Sequence, residues 1–298
     1  MTVAEFALFE QILGQRVFPL NGNYWKRVRP LFYRPVLPFQ EFSPGGVAAP
    51  RLGLLGGVQY AVPAPEQGNS FLNYLMFENA RHYTVETLDY NRKRQVKLAA
   101  KRFEVQPMLD LHEFKQQAYP VYLSFYERTQ YQYGSRRKDR AFFCQWADEL
   151  FKMPQALVLG GYRNGILGGV SVSLLVGDTL CYAMFFCNTE SLRLGLSDLM
   201  LHSVRKGVAE GQCASRIFAG LYKGGTHLDD FYLFRGCRLV RKPAFLRLNP
   251  LAACLLKYFL PGDYARFNGE SDEAKGKSPE NAGSGVESMG GLPAARVE

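Results

Sequence analysis

Histidine is scarce in this chain, with 4 in 298 residues, at 82, 112, 202 and 227, and no two stand at metal-ligand spacing. The six cysteines, at 144, 181, 187, 213, 237 and 254, form no CxxC pair, and most lie inside apolar runs such as "LCYAMFFC" and "LAACLL". That pattern points to reduced, buried thiols of a cytoplasmic protein, away from a disulfide framework and with no metal site. No apolar run approaches the roughly 20 residues of a membrane span. The start, "MTVAEFALFEQILGQRVF", carries Glu5 and Glu10 and lacks the basic opening of a secretory leader. A phosphate loop is missing too: "GLLGG" at 53–57 has no Lys-Ser/Thr after it and reads as a turn. Tryptophan is rare, at 2, but Tyr (17) and Phe (22) are plentiful and suit core packing ahead of a cleft lining.

What is present is positive charge. The net charge is +9, and the last 36 residues, from Asp263, are acidic. The remaining body holds 32 basic and 20 acidic side chains, a net of +12, which favours anionic partners.

The chain reads as three parts. Residues 1–84 offer a short helix at 3–13, a strand at 58–62 and a strand at 71–77, with a Gly-, Pro- and Arg-rich stretch between. Residues 85–262 are regular. A basic helix (85–102), a strand (103–109), a helix from Asp110 kinked at Pro120 and a helix at 140–152 come first. Three apolar strands follow, at 156–163, 166–176 and 179–188, joined by the hairpin signals Asn164-Gly165 and Gly177-Asp178. Then come a helix (197–211), a buried strand (216–220), a helix (226–236), a strand (238–248) and a short amphipathic helix, "LAACLLKYFL". From 263 the composition predicts a disordered tail.

The order from 156 to 248, an antiparallel meander followed by helix, strand, helix, strand, resembles the core of the GNAT acyltransferases. "DDFYLFRGCRL" matches that family's Phe-Tyr-x-x-x-Gly-Phe pattern at Phe231, Tyr232 and Gly236, with Cys237 in place of the last Phe. The stretch 85–250 further resembles the FemAB-like branch, through "NRKRQVKLAAKRFEV", "VYLSFYERT", "FFCQWADELFK" and "AEGQCASRIFAGLYKGG". The resemblance implies an α/β (α+β) fold, a mixed and mostly antiparallel sheet flanked by helices. It makes residues 1–84 a candidate truncated first GNAT-like unit. It also implies an N- or O-acyltransferase with acyl-CoA or acetyl-CoA as donor, or aminoacyl-tRNA as in the peptidyltransferases of the FemAB branch. The acceptor would be a small molecule or a cell-envelope precursor. Peripheral membrane contact is compatible with it, and nothing in the sequence indicates an oligomeric state.

The site expected from that resemblance has two parts. The pyrophosphate loop would fall on Arg193, Gly195, Leu196 and Ser197, where "RLGLS" keeps only one glycine of the family pattern. The chemistry would fall on Tyr222, Lys223, His227 and Tyr232, which supply proton donors, a cation and a titratable base after the strand at 216–220. Each has an ordinary alternative as a packed or solvated residue. Asp229 and Asp230 suit a helix N-terminus. Arg128 serves either a salt bridge or an anion, and the basic runs at 91–97 and 135–140 serve either a solvated face or phosphate contacts. The eroded glycine pattern leaves a third reading open, a non-catalytic module that kept the fold.

Overall fold

Local signals set the element boundaries. The computed structural model describes residues 1–129 and 135–269. Helix α1 (Val3–Ile12) opens on a capping box in which Thr2 and Glu5 satisfy each other's backbone N–H. Strands β1 (Val17–Leu20) and β2 (Asn23–Arg29) meet across Asn21-Gly22, both with positive φ (47° and 75°), the geometry of a tight hairpin turn. Next come β3 (Phe32–Pro35), β4 (Gly57–Ala61) and β5 (Ser70–Phe77). The basic helix α2 (Tyr90–Ala100) begins five residues later than the sequence suggests, because Asp89 accepts the N–H of Arg92 and fixes the start there. After β6 (Glu104–Pro107), helix α3 (Leu111–Thr129) continues through Pro120. Helix α4 (Arg140–Phe151) leads into the meander β7 (Ala156–Arg163), β8 (Ile166–Val176) and β9 (Thr179–Cys187). Short α5 (Thr189–Arg193), long α6 (Leu196–Gly211), β10 (Arg216–Leu221), α7 (His227–Leu233) and β11 (Arg238–Leu248) follow, then α8 (Pro250–Phe259) and α9 (Pro261–Asn268).

The strands form one eleven-stranded sheet in the order β1-β2-β3-β4-β11-β5-β10-β9-β8-β7-β6. Of the described pairs, β3–β4 and β9–β10 are parallel and the others antiparallel. The sheet crosses residue 84 without a break, since β5 pairs with both β10 and β11. Helices cover both faces of the meander. On one side α1, α3 and α4 bring Phe9, Phe114, Phe143 and Trp146 against Val170, Val172 and Leu174. On the other, α2 and α6 bring Val96, Met200 and Val204 against Leu159, Leu180 and Ile217. This two-sided burial explains why the meander strands read as continuous apolar runs.

The structure corrects the sequence reading in two places. Strands β2 and β3 fall in the Gly-, Pro- and Arg-rich stretch, where the sequence reading places no strand before 58, and β1 lies just ahead of them. The tail does not begin at Asp263: that residue and Phe267 are buried in α9, Phe267 stacking on Phe32 with ring centroids 4.1 Å apart. Of the two aromatics in this polar octet, Phe267 is the one that docks it. The remainder of the expected tail, 270–298, lies outside the described residues, as does part of the loop before α4.

Candidate functional site

The parallel pair β9–β10 is short. It holds for Arg216↔Thr179, Ile217↔Leu180 and Phe218↔Cys181, and then the strands part. Two backbone irregularities open the gap. In β9, Ser173 pairs with Tyr182 and Val172 with Met184, so Ala183 is an extra, bulged residue. In β10, Gly220 sits at φ +133° in a register shift against β5. That conformation favours glycine.

Two adjoining cavities occupy the opening. The larger, of about 480 Å³, lies between β9, α3 and α7 and takes in Tyr182, Met184, Arg128, Ser197, Phe231 and Tyr232. The inner one, of about 300 Å³, reaches towards β2 and β3 and ends at Val28 and Arg34. Glu10, Lys26, Ala219, Lys223, Leu228 and Tyr232 line both and form their common wall.

Tyr232 is the centre of this wall. Its ring is buried, edge-on to Tyr182 (6.3 Å) and Phe77 (6.4 Å). Burial pushes the Tyr182 phenol well above its ordinary range, so it stays protonated and able to donate. Lys223 precedes α7 on an exposed loop, and the loop is fixed by Asp229. The buried Asp229 carboxylate accepts from the N–H and hydroxyl of Thr226 (2.9 Å each) and from the N–H of Lys223 (3.3 Å). Asp229 therefore does more than favour a helix end: it positions the cation. In the same wall Lys26 donates to Glu10 at 2.6 Å.

Charge around the larger cavity is one-sided. Lys26, Arg128, Arg137 and Lys223 line it, with Glu10 as the single acid. Arg128 donates to the Cys187 carbonyl at 2.9 Å and has no carboxylate partner among the described residues. Arg34, at the end of the inner cavity, likewise has none there. It donates to the Gln59 side-chain oxygen (2.9 Å) and lies 5.2 Å from the Phe267 ring centroid, and burial lowers its pKa to about 10.

The residues singled out from sequence divide. Tyr232, Lys223 and Ser197 line the cavities; Tyr222, His227, Arg193, Gly195 and Leu196 do not. His227 is exposed at the first turn of α7, beside the loop but outside both cavities. Arg193 is exposed at the end of α5, and the Leu196 side chain is fully buried. Gly195 caps α6 in the left-handed region (φ +87°). The first turn of α6 also carries Asp198, whose carboxylate accepts from Arg235 at 2.8 Å. Cys237 is buried, and burial raises its pKa to about 12, which suits a packed thiol. Gly236 has φ +82°, as a helix-ending glycine before β11 requires. Among the described residues no cluster of His, Cys, Asp and Glu has the makings of a metal site, and no helix is long and apolar enough to cross a membrane.

No protein-family model matches the chain, and no curated protein matches it by sequence. Its fold does match solved structures. FemX superposes with a TM-score of 0.55 at 12% identity, covering 86% of this chain and 93% of that one. L-PGS from Bacillus licheniformis gives 0.53 at 12% identity, over 89% and 96%. A conserved protein of unknown function from Bacteroides thetaiotaomicron gives 0.53 at 11%, over 80% and 89%. The architecture is thus the one seen in FemX and L-PGS, a mixed and mostly antiparallel sheet flanked by helices, as expected from the residues of the meander and of α7.

Proposed function

We propose that the protein transfers an acyl or aminoacyl group from an activated carrier to an amine or hydroxyl. The observation that carries this reading is the parting of β9 and β10 over a cavity whose wall holds Tyr232, Lys223 and Glu10. A carrier entering this gap presents its carbonyl between the two cavities, and the acceptor approaches through the inner one. The acceptor's nitrogen or oxygen attacks the carbonyl carbon, and the bond to the carrier's sulfur or oxygen breaks. We assign Glu10, held by Lys26, to receive the acceptor's proton. Tyr232 donates a proton to the leaving group, and Lys223 stabilises charge on the carbonyl oxygen. His227 and Tyr222 stay outside these steps.

The start of α6 bears on which carrier. A CoA pyrophosphate needs the positive end of that helix to be unopposed. Here the first turn carries Asp198, itself ion-paired with Arg235, and Leu196 is committed to the core. The basic lining at Arg128 and Arg137 offers anion contacts at the other side of the gap. This combination favours aminoacyl-tRNA over acyl-CoA, with a cell-envelope precursor or a small molecule as acceptor. The test is thermal stabilisation of the full chain by CoA, acetyl-CoA, long-chain acyl-CoA and charged tRNA. A rise with charged tRNA that fades with salt supports the reading. A rise confined to acyl-CoA retains the transfer and replaces the carrier. No rise with any of them leaves a binding module that kept the fold.

A further inference from the structure

We infer that α8, together with the turn at 51–55, docks the protein on an anionic lipid bilayer. Helix α8 has apolar side chains on two faces. Leu256 packs inward with Phe32, Leu246 and Phe267. Leu251, Leu255, Tyr258 and Phe259, at helical spacing i, i+4, i+7 and i+8, form a second stripe that faces out. Their exposure is 70, 50, 80 and 68%, so the stripe is bare along its whole length.

A separate part of the chain meets the start of this stripe. Asn249, the cap of α8, donates its backbone N–H to the Gly56 carbonyl (2.9 Å) and its side-chain amide to the Leu54 carbonyl (3.3 Å). These bonds fix the helix start beside Leu54 and Leu55, which are 54 and 61% exposed. Scattered exposed leucines need no explanation, whereas an apolar ridge built from two tethered segments does.

Charge selects the occupant. Arg51 and Lys257 are exposed on the two segments. Across 51–56 and 247–269 the one acid is Asp263, which is buried and ion-paired with Arg29 and Arg266. A second copy facing this surface across a twofold axis would set basic side chains against basic side chains. An anionic interface instead takes the apolar stripe into the headgroup boundary and pairs with the surrounding Arg and Lys.

The experiment is co-sedimentation of the full chain with two kinds of vesicle: phosphatidylcholine alone, and phosphatidylcholine mixed with phosphatidylglycerol in equal parts. The chain should pellet with the mixed vesicles and stay in solution with the neutral ones. The double substitution Leu255→Asp, Phe259→Asp should reduce partitioning roughly tenfold or more. Because both side chains are exposed, its melting temperature should be unchanged. Arg51→Gln with Lys257→Gln should weaken binding and its salt dependence while sparing the ridge. If the intact chain stays in the supernatant with mixed vesicles, or the double aspartate variant pellets as well as the parent, the inference fails. It fails equally if gel filtration shows a dimer that the same variant dissolves, which would give the ridge to a second copy. None of these results depends on turnover, so they separate cleanly from the transfer reaction.

Discussion

Replacing Tyr232 by Phe removes one oxygen and leaves a ring that still packs edge-on against Tyr182 and Phe77. Folding should survive, and turnover with an identified donor should fall by roughly ten- to a thousandfold, the scale of a lost proton donor. His227→Ala, outside both cavities, should leave turnover within about twofold of the parent, by the same scale. The reverse outcome, with His227 essential and the Tyr232 hydroxyl dispensable, would relocate the chemistry to the loop surface. Gly236→Val should cost on the order of 1–2 kcal/mol, read as a lower melting temperature, because a β-branched residue is strained at φ +82°. At this scale the sequence exposes Tyr232 and Gly236, which share one short motif, and Lys223, which follows the strand before it. Glu10 and Lys26 escape it. They reach the same wall from α1 and β2, some two hundred positions away in the chain, and no local pattern marks that meeting.

Helix α9 shows how little sequence an element needs when its partner is waiting. Phe267 stacks on Phe32, and its carbonyl accepts from Gln59 (2.9 Å) and Ser70 (2.5 Å) on two separate strands. Phe267→Ala should cost about 3 kcal/mol and lower the melting temperature by several degrees. An unchanged melt would mean that α9 is only loosely seated. The meander, by contrast, is legible because each strand is buried on both faces and each turn carries Asn-Gly or Gly-Asp. The first hairpin also announces itself at Asn21-Gly22. Its strands are short, interrupted by Pro19 and studded with Arg and Lys, so apolar alternation is too weak to confirm the turn. The first turn of α6 shows the opposite case: "RLGLS" resembles a phosphate loop, yet Leu196 goes into the core, and neither its spacing nor its composition distinguishes that outcome.

On the scale of the molecule, β11 joins the two parts of the sheet. Arg238–Ala244 pairs with β5 and Ala244–Leu248 with β4, so one strand fills the space between two that precede it far upstream. A chain ending before Arg238 should show no cooperative melt, and a sharp transition from such a fragment would show that each part stands alone. The same arrangement bears on how the protein is made. β4 and β5 leave the ribosome early, and the strand that separates them follows more than 160 residues later. Throughout that interval the facing edges of β4 and β5 are unpaired, free to join each other or a neighbouring nascent chain. Synthesis should therefore depend on holdase chaperones until β11 emerges, and refolding from denaturant should be slow, limited by the insertion of one late strand into a gap already formed.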